Sequence, residues 1–140
     1  MAARTHQQMV FINLAVKDIE LSKKFFGEVG YELNPQFSDD ETACVAVSDS
    51  IVLMLLQEEK FARFTVKPVA DATRSTEALI CLSAGSRRQV DELVDRALSA
   101  GGSPAAEPSE MGFMYGRSFL DPDGHHFEVM WMDENAVQGC

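Results

Sequence analysis

Near the end of the chain, His126, Glu128 and Met130 occupy alternate positions of the run HHFEVMWM. Alternate residues of a strand share a face. A glutamate with an imidazole beside it can ligate a divalent cation, take a proton as a general base, or line a polar pocket. The intervening set, His125, Phe127, Val129 and Trp131, is mostly apolar and is expected to pack under a helix. The first set then faces a cleft. His125 follows the glycine of the preceding turn. It is read as structural, either bonding the turn or facing solvent. On the strand before that turn, Tyr115 and Arg117 alternate with Phe119. A guanidinium there either reaches into the cleft to hold a carboxylate or phosphate, or neutralises Glu128.

Two other stretches bear on a ligand. EMGFMYG at 110–116 holds two methionines, two aromatics and two glycines. It reads as a cleft rim that adapts to a ligand, or as plain core and edge packing. EKFARF spaces Phe61 and Phe64 as a helix would. It reads as an amphipathic turn covering the cleft, or as two anchors for a long loop, the reading favoured here. His6 carries no assignment. No glycine-rich phosphate loop, nucleophile elbow or Ser/His/Asp order stands out.

These residues need elements to position them. MVFINLAV, from Met9 to Val16, reads as a strand with Val10, Ile12, Leu14 and Val16 on one face and Phe11, Asn13 and Ala15 on the other. Asp18 suits a helix N-cap. The helix that follows carries Leu21, Phe25, Phe26 and Val29 as its apolar stripe and ends at Gly30. Strands are expected at Tyr31–Phe37, Thr42–Val47 and Ile51–Leu56. The order then repeats. A strand at Glu77–Ser83 leads to a capping-box spacing, Ser86 to Gln89. Next comes a helix striped by Val90, Leu93, Val94, Ala97 and Leu98, closed by Gly101-Gly102. Gly112–Leu120 and His125–Met132 follow as strands joined by DPDG, whose Gly124 supplies unusual backbone geometry. The fold class is α+β: two βαβββ modules, about 9–56 and 76–133, joined by a linker at 57–75. Each has one helix backing a sheet, and together they curve around a cleft within a single domain spanning 1–140.

Composition narrows the partners. The chain has 140 residues, 46% hydrophobic and 24% charged, with a formal net charge of −10. Such a surface repels phosphate backbones and anionic bilayers, so neither nucleic acid nor a membrane is expected as a partner. No apolar run approaches the ~20 residues a membrane helix needs, and MAARTHQQ shows no signal core. The three cysteines, Cys44, Cys81 and Cys140, match no zinc or redox spacing. A cytoplasmic protein is expected, with Cys44 and Cys81 as small core hydrophobes.

The opening FINLAVKDIELSKKFF, the helix end ALSAGG and the closing FLDPDGHHFEV are what carry a resemblance. The chain resembles the vicinal oxygen chelate superfamily, which includes glyoxalase I, extradiol dioxygenases, fosfomycin-resistance enzymes and bleomycin-binding proteins. The likeness runs from Met9 to Asp133. It implies paired βαβββ modules, a homodimer and a small-molecule ligand. In metal-dependent members four places supply ligands. Carried onto this sequence, they fall on Phe11, near Met54, at or near Glu77, and on Glu128. Two are carboxylates and two are apolar, and a thioether is a poor ligand for hard divalent ions. A divalent metal is therefore possible but not favoured; if one binds, Glu77, His126 and Glu128 hold it.

Two functions follow from that resemblance. The first is an enzyme, lyase- or dioxygenase-like, acting on a small oxygenated substrate with an atypical or absent metal site. Glu128 and Glu77 would be its catalytic residues, and their facing carboxylates would raise one pKa. The second is a metal-free protein that sequesters a small molecule, as bleomycin-binding relatives do. In either case Phe11, Asn13, Met54, Tyr115, Arg117 and His126 are expected to contact the ligand.

Overall fold

The computed structural model describes residues 6–136. Cys140 lies outside the described residues, as does most of the stretch MAARTHQQ. The described chain divides into two compact units, one of residues 6–27 and 31–69, the other of 28–30 and 70–136. Among the described residues, no helix is long and apolar enough to cross a membrane.

The first unit opens with β1 (Val10–Val16) and α1 (Ile19–Val29). The Asp18 carboxylate accepts the Leu21 amide at 3.1 Å and so caps the helix. Gly30 ends it at φ 119°. The buried stripe differs from expectation at one place. Leu21 is 48% exposed, while Ile19, Ser22, Phe25, Phe26 and Val29 are buried. At 100° per residue Leu21 lies about a quarter-turn off the line through Ser22, Phe26 and Val29.

Three strands follow: β2 (Glu32–Leu33), β3 (Thr42–Ala46) and β4 (Ile51–Gln57). The expected strand at 31–37 is cut to two residues. Asn34 accepts the Gln36 amide through its side chain, and Pro35 starts a 3₁₀ turn there. The sheet order is β1-β4-β3-β2, with β1 and β4 parallel. Asn13 pairs with Met54, which pairs with Cys44, so these three side chains share a face. A short α2 (Glu58–Ala62) follows β4. Its Lys60 ammonium donates to the Thr42 hydroxyl.

The second unit repeats the order. It comprises β5 (Leu79–Ser83), α3 (Arg87–Ser99), two-residue strands β6 (Ser103–Pro104) and β7 (Ser109–Glu110), then β8 (Met114–Leu120) and β9 (His126–Met132). Sheet order is β5-β9-β8-β6, matching the first unit strand for strand, with β7 paired to β8. Ser86 caps α3 by accepting the Gln89 amide. Gln89 reaches back to the Gly85 amide at 2.7 Å, one residue before the cap. Val90, Val94 and Ala97 are fully buried, and α3 packs on β8 and β9.

Candidate functional site

The turn between β8 and β9 sets which residues can meet a ligand. Gly124 takes φ 93°, and its amide donates to the Asp121 carbonyl. A methyl group there would lie 2.6 Å from the Ala72 carbonyl oxygen, so the loop before β5 rests on the turn. This turn places Leu120 opposite His126, Phe119 opposite Phe127, and Arg117 opposite Val129.

That register corrects two expectations. Tyr115 and Arg117 share the face of Phe119, Phe127 and Val129, the face under α3, and do not approach Glu128. The Arg117 guanidinium donates to Asp91 at 3.0 Å and Asp95 at 2.9 Å, both on α3. The Tyr115 hydroxyl donates to Asp91 at 2.7 Å. Burial works to lower the Arg117 pKa, and the bonds to Asp91 and Asp95 more than offset it. The Tyr115 bond, then Arg117, pulls the Asp91 pKa down, and the same Asp91 bond pushes Tyr115 up. This cluster docks helix on sheet. Arg87, which the sequence reading passed over, adds to it. Its guanidinium lies 5.4 Å from the Tyr115 ring centre and 5.0 Å from that of Trp131. It also bonds the Glu110 carboxylate and the Gly112 carbonyl, and so holds the 110–113 rim. The i,i+2 alternation along β8 was the available signal for all of this.

Glu77 is the third correction. It precedes β5, and its carboxylate bonds His125 Nδ1 at 2.7 Å. His125 is buried, with its amide donating to the Asp121 carboxylate at 2.8 Å. It does not face solvent. Asp121 is 3% exposed. Its second carboxylate oxygen has no hydrogen-bond partner. Burial lifts its pKa from 3.8 to about 6.

The expected facing pair of carboxylates does not form, because Glu77 and Glu128 each take a histidine. Glu128 bonds His126 Nε2 at 2.6 Å. Across β5 it sits opposite Cys81. That thiol is exposed, where a core position was expected. Desolvation, then the Glu128 charge, raises its pKa. The rest of this face carries Leu79, Ser83, Met130 and Met132.

In the first unit, Phe11 is 56% exposed and lies on the Asn13 side of β1. Asn13, Leu56, Phe61, Phe64 and Thr65 line a pocket of about 320 Å³. Phe61 and Phe64 therefore overhang the sheet from α2 and from two residues past its end. Phe64 is 75% exposed, which rules it out as a loop anchor. Phe61 and Phe64 thus line a pocket of the first unit together with Asn13.

The model of the glyoxalase/bleomycin resistance protein/dioxygenase superfamily matches residues 8–129. The chain belongs to that superfamily. A structure of a hypothetical protein from S. aureus superposes with a TM-score of 0.74 at 28% identity, covering 91% of this chain and 95% of that one. An antibiotic-binding protein from Streptomyces gives a TM-score of 0.64 at 18% identity, covering 93% and 99%. Lactoylglutathione lyase from Agrobacterium tumefaciens gives 0.66 at 18%, covering 92% and 95%. At 18% identity these last two share the fold. No curated protein matches the chain.

Metal-dependent relatives in this superfamily invite a test of the donor set. Of the four places that the resemblance implies, two fall on the apolar Phe11 and Met54, and Glu77 is turned to His125. Among the described residues, no three His, Cys, Asp or Glu side chains converge as a metal site. The residues do not fit a hard divalent ion, which takes about six oxygen or nitrogen donors.

Proposed function

We propose that this protein binds a small, largely apolar aromatic molecule in the first unit, on the Asn13–Met54 face beneath Phe61 and Phe64. The pocket under α2 carries this reading. Its wall is two phenylalanines and a leucine, with one amide and one hydroxyl to orient a guest, and no titratable side chain lines it among the described residues. Phe11 and Met54 extend the same apolar face. A net charge of −10 favours a neutral or cationic guest over an anion. The antibiotic-binding neighbour supports sequestration as the mode. The reading extends to a cytoplasmic homodimer, for which light scattering is the check.

The test is equilibrium dialysis against a panel of neutral and cationic aromatic compounds. At least one should bind saturably and be recovered chemically unchanged. Phe64→Ala, at an exposed position, should leave thermal stability intact and weaken that compound about tenfold, or ~1.4 kcal/mol. Asn13→Ala should weaken it less. Saturable binding that ignores Phe64→Ala would sink the proposal, as would a compound recovered altered.

A second reading rests on the 2.6 Å bond between His126 and Glu128. A carboxylate–imidazole pair can move a proton between substrate atoms without a metal. Glu77 has no part in it. If a turnover is found, Glu128→Gln should abolish it.

A further inference from the structure

The aromatic wall of the first-unit pocket stands on a slender support. α2 has five residues and buries none of them. A helix of about one and a half turns does not hold itself in water. The amides of Arg63 and Phe64 bond back to the carbonyls of Lys60 and Phe61 at 3.1 and 3.0 Å. The turn therefore carries on to Phe64, and the two rings travel together. Whatever fastens this segment to the sheet decides where they stand.

The strand register shows the fastening. Thr42 of β3 pairs with Leu56 of β4, and Leu56 with Ala15 of β1. By the period of two, this row lies on the same face as Asn13, Met54 and Cys44. Asn13 and Leu56 line the pocket, and Thr42 ends the row on the side away from β1. Its hydroxyl accepts the Lys60 ammonium, and the residue is buried. The segment is thus bonded to the sheet on the β3 side of Leu56, while its rings stand over the side that holds Asn13. Lys60 and Phe64 are four residues apart, neighbours on one helix face. The Asp39 carboxylate lies nearby: the Glu41 amide bond, then, against desolvation, the Lys60 charge and Thr42, hold its pKa low. A lysine ordinarily keeps its ammonium in water. This one is committed to a buried hydroxyl beside the pocket floor.

We propose that the Lys60–Thr42 bond is a latch that holds Phe61 and Phe64 over the Asn13–Leu56 floor and sets how fast a guest leaves. The inference rests on the reading of that pocket as the guest site. Lys60 and Thr42 are positioning residues: neither is among the residues lining the pocket, and both act through the two rings.

The experiment has two arms, each run on the full chain as parent, Lys60→Met, Thr42→Val and Thr42→Ser. The first needs no guest. Nuclear Overhauser cross-peaks from the Phe61 ring to Asn13 and Leu56 should weaken in Lys60→Met and in Thr42→Val. They should persist in Thr42→Ser, which keeps the hydroxyl. The core contact between Phe25 and Phe26, whose ring centres lie 4.9 Å apart, should not change, and so reports an intact fold. The second arm follows stopped-flow release of phenylnaphthylamine, a neutral aromatic amine that fluoresces in apolar sites. Release should quicken about tenfold in Lys60→Met and Thr42→Val, the low end for losing a hydrogen bond to a charged group. Association should be no slower, and the double variant should release no faster than either single one. Cross-peaks unchanged in both variants would overturn the latch. So would release at the parent rate from both, or Thr42→Ser behaving as Thr42→Val. Cross-peaks that weaken as expected, in a protein that binds neither this probe nor any compound of the dialysis panel, would support the latch and refute the guest-site reading.

Discussion

Asp121 offers a test whose size and sign both come from geometry. The carboxyl is buried, one oxygen is occupied by the His125 and Asp123 amides, and the other has no hydrogen-bond partner. Burial raises its pKa from 3.8 to about 6. The folded state therefore holds the proton more tightly than the unfolded chain does. Stability from this group is complete below about pH 4 and declines as pH rises, until the proton is gone above about pH 6. At ~1.4 kcal/mol per unit, the loss comes to about 3 kcal/mol. Asp121→Asn keeps an acceptor for the two amides and removes the charge. Urea unfolding of both proteins at intervals from pH 4 to pH 8 is the assay. The variant should match the parent near pH 4, then exceed it by a margin that grows to about 3 kcal/mol at pH 7 and above. Titrating groups remote from Asp121 cancel in the difference; the charges of His125, which lowers the Asp121 pKa, and Asp123, which raises it, are already contained in the value of about 6. A difference that does not change with pH, or a variant less stable than the parent at pH 8, would refute the argument.

Two further substitutions follow from the same unit. Gly124→Ala forces a side chain onto a backbone at φ 93° and against the Ala72 carbonyl; it should cost more than about 1 kcal/mol in urea unfolding. Arg117→Met leaves Asp91 and Asp95 without their shared cation; stability should fall by about 1 kcal/mol, given the exposure of the two acids. The affinity of any ligand found for the first unit should not move, because Arg117 serves the helix.

Much of the architecture was legible because it rests on local chemistry. Asp18, Ser86, Gly30 and Gly124 each do what their residue type favours at a helix end or turn. The strand at 31–37 was overread because Asn34-Pro35 was weighed less than the apolar residues around it. The candidate site was less legible, for a different reason. Periodicity says which residues share a face, yet not which face has the helix unless the register across a turn is worked through. For Tyr115 and Arg117 that count was available, and it leads to α3. For Glu77 it was not: its partner, His125, is distant in sequence, and no alternation links them. Phe61 and Phe64 line a pocket, and helical spacing alone does not tell a pocket wall from a loop anchor.

The Arg87 stack has an experimental consequence. The chain has one tryptophan, and it lies in the second unit with a guanidinium over its ring. Intrinsic fluorescence is therefore a local reporter. It registers the loss of α3 from β8 and β9, and it has no chromophore of its kind in the first unit. An unfolding curve followed by emission alone could pass for the whole protein while describing half of it. Superimposing that curve on one followed by far-ultraviolet circular dichroism would reveal whether the two units melt as one cooperative body or in succession.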